Sequence, residues 1–175
     1  AEGTQAYYGP TFARIGFVET LEAIRDSDHY STPLGPNQGR GVASGFWFNA
    51  AGSSSVTISV DDAGGVSLLT GSPDIGGSRA SNALVTAEEL GIELDTIRVA
   101  VADTESVGFN DVTGGSRTTH ATSAVIAIAC EELRADLCSR AALTWSCDAG
   151  DVEWSDGRAQ RIDGSGPPLT MRDLA

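Results

Sequence analysis

Alternating apolar and polar positions predict three strands in the middle of the chain. Apolar residues alternate with polar ones over 56–60, and they return at 66–69 after "DDAGG", a segment typical of a turn. This pattern predicts a β-hairpin. The alternation appears again over 97–101, in "DTIRVAVAD", and predicts a third strand. Residues 41–48, "GVASGFWF", are also compatible with a strand.

Apolar positions three or four residues apart predict three helices. A short helix at 15–27 has Phe17, Leu21 and Ile24 on one face. A second helix over 79–90 ends at Gly91, the residue type that most often follows a helix. A long helix at about 118–143 is apolar on several sides, so we expect other parts of the protein to cover it.

The C-terminal part continues the alternation of strands and helices. "DVEWSDGRAQRID" predicts a second hairpin with Asp156 and Gly157 at its turn, and "SGPPLTMRDLA" predicts the start of another helix. We therefore predict an α+β fold: a mixed sheet of about four strands packed against two helices, with a C-terminal β-hairpin. We assign 1–38 to an N-terminal arm, short helix and linker, and 39–175 to the domain itself.

The charge of the chain argues against two classes of partner. Its net charge is −13, and all eleven of its cationic residues are Arg. Such a surface repels nucleic acid and anionic membranes, so we expect neither as a partner. The sequence has no apolar run long enough to span a membrane and its first residues do not resemble a signal peptide. We therefore expect a cytoplasmic protein, with the periplasm as the alternative.

The usual nucleophiles and metal ligands form no recognisable site. Cys130, Cys138 and Cys147 lack metal-ligand spacing, so we interpret them as reduced thiols in the core. His29 and His120 are too few for a conventional zinc site. We assign no catalytic residue and no metal ligand to this chain.

One short motif, Gly-Gly-Ser-Arg, occurs twice, each time between a predicted strand and a predicted helix. The stretches are "DIGGSRASN" at 74–82 and "DVTGGSRTTH" at 111–120. The glycines allow close approach of a ligand, the serines cap the helix or bind an anionic oxygen, and the arginines suit phosphate or carboxylate. Ordinary helix capping, with each arginine paired to a carboxylate, is the alternative. The spacing matches neither common phosphate-binding glycine motif.

The chain strongly resembles, over roughly residues 10–175 and most specifically over 39–133, the second molybdopterin-binding region of the molybdenum hydroxylases. This is the family of xanthine dehydrogenase, aldehyde oxidase and aerobic carbon monoxide dehydrogenase. The shared order is a hairpin, a Gly-rich turn, a helix ending in Leu-Gly, Ile-x-Val-x-x-x-Asp-Thr, a loop and Gly-Ser-Arg-[Ser/Thr]-Thr. The resemblance implies that both turns contact one anionic molybdopterin, which in some members extends to a cytosine dinucleotide. The implied contacts are Gly76, Gly77, Ser78, Arg79, Gly115, Ser116, Arg117 and Thr118.

Two details of the resemblance concern the substrate side of the site. The family usually has Gln between two glycines in the first turn, where its amide faces the metal; this chain has Gly76-Gly77-Ser78, so the resemblance does not carry that contact over. The stretch 45–52 aligns with one that approaches the substrate in relatives. It makes Phe46, Trp47 and Phe48 candidates for a substrate pocket, with core aromatics on a strand as the alternative.

The resemblance implies an oxidoreductase that hydroxylates an electron-poor carbon of a small molecule with oxygen from water. Electrons leave through iron–sulfur clusters and usually FAD on other domains or subunits. The family's catalytic Glu motif, its first molybdopterin region and its cluster-binding cysteines do not occur in these 175 residues. We therefore expect one piece of a large subunit, inactive alone, with the rest of the subunit or another copy covering its apolar surface. The alternatives are a non-catalytic docking domain and a generic phosphate-binding domain.

Overall fold

The structure is a computed structural model that describes residues 2–6, 9, 11–45 and 52–175. It forms two compact units, residues 1–46 and 47–175. The boundary that we predict between residues 38 and 39 stays a prediction. None of the helices in the described ranges is both long and apolar enough to cross a bilayer.

The N-terminal unit contains two short helices and little buried surface. Helix α1 spans Phe17–Arg25, inside the predicted 15–27, and α2 spans Asp28–Ser31. The apolar face of α1 is on average more than a third exposed within the structure, and neither helix buries a residue. The following linker folds back, because the Arg40 guanidinium donates hydrogen bonds to the carbonyls of Tyr30 and Thr32.

A three-stranded sheet and a crossover helix form the centre of the second unit. Strand β1 (Val56–Val60) pairs antiparallel with β2 (Val66–Thr70), and β2 pairs parallel with β3 (Ile97–Val101). The parallel pair is connected by helix α3 (Ser78–Leu90), as parallel strands require a crossover. Helix α3 ends at Gly91, whose φ of +68° is the left-handed conformation that favours glycine there.

Helix α4 (Arg117–Trp145) is the longest element and packs against α3, the first sheet and the C-terminal elements. The core therefore runs along α4. Its buried side chains on α4 include Ile126, Cys130 and Leu137, which share the core with Val66 and Leu68 of β2 and Leu90 of α3. Helix α4 is not covered on every side, since Ile128 and Leu143 remain largely exposed in the structure.

A second three-stranded sheet closes the C-terminal end. It contains β4 (Val152–Ser155), β5 (Arg158–Arg161) and the two-residue β6 (Leu169–Thr170), and helix α5 (Met171–Leu174) follows. Asp156 and Gly157 both have positive φ, as a two-residue hairpin turn requires. A Cβ on Gly157 would lie 2.7 Å from the carbonyl oxygen of Gly91, so this turn packs tightly against the end of α3.

The α+β class and the C-terminal hairpin are confirmed, and one detail of the predicted sheet is not. The first sheet has three strands in the described residues rather than about four, and the predicted hairpin of β4 and β5 is extended to a second sheet of three because β6 pairs with β5. The predicted strand at 41–48 does not form in its described part, 41–45, and 46–48 lie outside the described residues.

Candidate functional site

The two Gly-rich turns lie at the same edge of the first sheet. Strands β2 and β3 are parallel and in register, with Thr70 opposite Val101, so the segments that follow both strands leave from one edge. Helix α3 begins after the first turn and α4 after the second. A direct contact joins the two segments, because the Arg117 guanidinium donates a hydrogen bond to the Ser72 hydroxyl at 3.3 Å.

The first turn leaves open space in front of its backbone. Gly76 and Gly77 have φ of +60° and +98°, the left-handed conformation that side chains rarely adopt. A Cβ placed on either residue would meet no atom within 4 Å. Ser78 is buried, and its hydroxyl accepts a hydrogen bond from the Ile75 amide and donates to the Pro73 carbonyl. Gly76 and Gly77 thus suit close approach of a ligand, whereas Ser78 stabilises the turn from behind.

Asp74 binds the polar groups that start α3. Its Oδ1 accepts hydrogen bonds from the backbone N–H groups of Gly77 and Arg79, and its Oδ2 accepts one from Arg79 Nε at 2.8 Å. The Arg79 guanidinium, more than any other partner, lowers the pKa of the Asp74 carboxyl to about 2. The first turn therefore already holds an anion that belongs to the chain itself.

The second turn has a different arrangement, with its arginine beneath the backbone. Gly115 and Ser116 have left-handed φ of +57° and +62°. Ser116 is the N-cap residue of α4, but its side chain makes no capping hydrogen bond. Arg117 is 1% exposed, and its guanidinium donates to the carbonyls of Ser53 and Val112. Among the described residues it has no ion pair. A buried cation bound only by neutral oxygens connects segments of the chain rather than reaching into solvent.

A network of buried polar groups continues from Arg117. The Ser72 hydroxyl lies 2.9 Å from that of Thr122 on α4, and it also donates to Asn110 Oδ1. The Asn110 amide in turn donates to the Ser55 hydroxyl and the Gly108 carbonyl. These bonds connect the chain before β1, the loop after β3 and the start of α4, and so fix the second turn relative to the first.

The remaining predicted residues have clear positions or lie outside the described ranges. Thr118 is buried beside Arg117, with its hydroxyl 3.4 Å from that of Thr113. Phe46, Trp47 and Phe48 lie outside the described residues. The three cysteines are free, and burial raises the pKa of Cys130 to about 11 and also raises that of Cys138. No cluster suited to a metal ion occurs within the described part of the chain.

Sequence reasoning missed two residues that accept hydrogen bonds from polar groups at this edge, Asp74 and Asn110. Asp74 had a usable signal, because an acidic residue three positions before a helix-capping Gly is placed to accept from the first turn. Asn110 had none, because its partners at 55 and 72 become neighbours only through strand pairing.

Comparison with known proteins identifies the family to which this chain belongs. Residues 21–175 match the sequence profile described as the molybdopterin cofactor-binding domain. The chain belongs to this family. The match covers both Gly-rich turns, so the family predicted from the sequence motifs is confirmed.

Solved structures of molybdenum hydroxylases are similar in fold. The Cu,Mo-containing CO dehydrogenase, in its carbon monoxide reduced state, superposes with a TM-score of 0.65 at 29% identity, covering 70% of this chain and 16% of that one. The reconstituted CO dehydrogenase of Oligotropha carboxidovorans superposes with a TM-score of 0.64 at 28% identity. The alignment covers 74% of this chain and 16% of the CO dehydrogenase chain. Quinoline 2-oxidoreductase of Pseudomonas putida 86 superposes with a TM-score of 0.59 over 69% of this chain and 15% of its own. At 20% identity, this likeness supports the fold alone. This molybdopterin-binding domain therefore spans about a sixth of the CO dehydrogenase chains that it matches.

The residues of the two turns fit an anionic pterin in part. A Cβ at Gly76, Gly77 or Gly114 would meet no atom within 4 Å, so both turns have room for a ligand against the backbone. The start of α4, a helix of 29 residues, adds the positive end of a helix dipole. The Asp74 carboxylate is the one described group of the first turn that opposes an anion.

Proposed function

We propose that residues 47–175 form one wall of the molybdopterin site of a molybdenum hydroxylase large subunit. The observation that carries this proposal is the convergence of two glycine turns, open in front, at one edge of a parallel strand pair in a domain of this family. Two turns on the same edge suit one extended ligand better than two separate ones.

The two turns would divide the contacts with the cofactor. Gly76, Gly77 and Ser116 would offer backbone groups, and the exposed guanidinium of Arg79 would bind an anionic oxygen. Arg117 is too deeply buried for such a contact, so we assign it to holding the second turn in place together with Thr118. The cofactor, with or without its cytosine nucleotide, would supply molybdenum chemistry that hydroxylates an electron-poor carbon with oxygen from water.

The proposed role requires further protein around this domain. We propose that the rest of the large subunit covers the other side of the cofactor, and that iron–sulfur and flavin domains or subunits accept the electrons. Exposed apolar side chains suit such contacts: Phe109 and Val112 project beside the second turn, and Ile128 and Leu143 lie on α4. A second copy of the chain is the alternative occupant of this surface.

Titration with molybdopterin released from a purified molybdoenzyme tests the proposal. We expect the full chain to bind it, and Arg79→Ala to weaken the affinity at least about tenfold, because a charge-assisted hydrogen bond is lost. Arg158→Ala, which removes the same charge from the second sheet, is the matched control and should bind like the parent. If both variants lowered the affinity for molybdopterin equally, the loss would come from the change in net charge. That outcome would contradict a specific contact at the first turn.

Binding of free phosphate compounds separates the remaining candidates. A generic phosphate-binding domain would bind inorganic phosphate or cytidine nucleotides as tightly as molybdopterin. A docking domain with merely capped turns would bind none of these ligands, and Arg79→Ala would leave every titration unchanged.

A further inference from the structure

The Asp74 carboxylate occupies the polar groups of the first turn as a bound anion would. Its Oδ1 accepts from the Gly77 and Arg79 amides at 3.2 and 3.3 Å, and it shares the hydrogen of the Ser78 hydroxyl, 3.2 Å away, with the Pro73 carbonyl. Its Oδ2 accepts from Arg79 Nε at 2.8 Å. One side chain thus takes up backbone, hydroxyl and guanidinium donors together.

This arrangement is specific to the first turn. The second turn has the same Gly-Gly-Ser-Arg sequence, but Arg117 donates only to carbonyl and hydroxyl oxygens and forms no ion pair within the described ranges. The carboxylate at the first turn is therefore not a general requirement for beginning a helix after this motif.

Asp74 can leave without disturbing the core. The Asp74–Arg79 pair lies at the surface, with the arginine side chain more than half exposed. Ser78 would keep its bonds to the Pro73 carbonyl and the Ile75 amide after the carboxylate moved away. The turn is thus held by contacts other than those that Asp74 makes.

We propose that Asp74 is an intramolecular competitor for the anionic ligand of the first turn. This inference rests on the proposed function, because it concerns the ligand of that same site. An arriving phosphate or pterin oxygen would displace the carboxylate and take over the donors of Gly77 and Arg79. The contact with Asp74 lowers the affinity of the ligand-free chain for anions in general and leaves the site to ligands with further contacts at the second turn.

Inorganic pyrophosphate is a suitable probe, since it offers anionic oxygens without a pterin. We would titrate it into the full chain and into Asp74→Asn by calorimetry. Asparagine keeps an oxygen that accepts from the helix amides but releases the Arg79 guanidinium. We expect Asp74→Asn to bind pyrophosphate about tenfold more tightly than the parent, because the charge-assisted contact between Asp74 and Arg79 no longer competes with the ligand.

Asp163→Asn is the matched control for net charge. Asp163 also pairs with an arginine, Arg161, and also accepts from backbone and hydroxyl groups, but it lies after β5 at the second sheet. Its substitution removes the same charge and should change pyrophosphate affinity less than twofold. Equal gains in both variants would mean that only net charge matters and would overturn the inference.

The other outcomes separate this inference from the proposed function. If the parent and Asp74→Asn bind pyrophosphate equally, Asp74 does not compete, while the proposed cofactor site stands. Weaker binding by Asp74→Asn also overturns the inference, because Asp74 would then organise the site. If neither chain binds pyrophosphate, the inference fails, and molybdopterin binding by the parent then decides the proposed function by itself.

Discussion

Arg79 and Arg117 follow the same three residues, yet their guanidinium groups have opposite surroundings. Arg79 is exposed and paired with Asp74, whereas Arg117 is buried among carbonyl and hydroxyl oxygens. The motif identified both turns but could not separate these roles. The burial of Arg117 depends on Ser53 and Ser72, which reach it only through the fold.

Substitution of Arg117 tests its role in holding the turns together. We expect Arg117→Ala to lower the free energy of unfolding by about 3 kcal/mol, because a large buried side chain is removed together with its hydrogen bonds to Ser53, Val112 and Ser72. Urea unfolding measures the change. Arg79→Ala, at the surface, should cost less than about 1 kcal/mol. Equal costs for the two variants would contradict a structural role specific to Arg117.

The acid sensitivity of the protein should depend partly on Asp74. The Arg79 guanidinium and the neighbouring donors lower its pKa in the folded chain to about 2, below the ordinary value of 3.8. A carboxyl with a lowered folded pKa stabilises the fold above its unfolded pKa, and this contribution is lost as pH falls from about 4 to about 2. Melting temperatures should therefore fall less steeply over this range in Asp74→Asn than in the parent.

Other carboxyls of lowered pKa, such as Asp103 and Asp163, also contribute to acid unfolding, so the difference between the two chains is the informative quantity. Parallel melting curves against pH for the parent and Asp74→Asn would show that Asp74 titrates normally.

At the scale of elements, local patterns predicted most helices and strands but not their assembly. β1, β2, β3 and α4 followed from apolar periodicity, because each turns one regular set of apolar side chains towards the core. Helix α3 was predicted as well, although three of the four residues that it buries, Ser78, Asn82 and Thr86, are polar. The third strand of the second sheet did not follow from such a pattern, because β6 has only two residues, too few to show a period.

Two isoleucines on α4 provide a matched test of which helix face is covered. Ile126 is 0% exposed and Ile128, two residues later, is 57% exposed. We expect Ile126→Ala to lower the free energy of unfolding by about 3 kcal/mol and Ile128→Ala by less than about 1 kcal/mol. Urea unfolding of both variants measures the difference. Similar losses would mean that the exposed face of α4 is covered in solution.

At the scale of the whole molecule, the net charge of −13 opposes the compact state. The net charge and the family could both be predicted from the sequence alone. The charge requires only a count of residues, and the family only the order of motifs along the chain. The geometry of the site needed the strand pairing.

Salt should therefore stabilise the protein at neutral pH. We expect the melting temperature to rise by roughly 2–4 °C between 0.01 and 0.3 M NaCl at pH 7, because counterions screen the repulsion between carboxylates. The rise should disappear near pH 4.3, the isoelectric point, where the net charge is zero. A melting temperature that falls with salt at pH 7 would show that the ion pairs outweigh this repulsion.

The parallel pairing of β2 with β3 also determines when the two-turn edge arises during folding. The β1–β2 hairpin closes a short loop, whereas β3 reaches β2 only across the whole of α3. The hydrogen bond from Arg117 to Ser72 that joins the two turns likewise connects residues 45 positions apart. We therefore expect the edge to form late in folding, so that a ligand held by both turns selects chains that have completed the crossover.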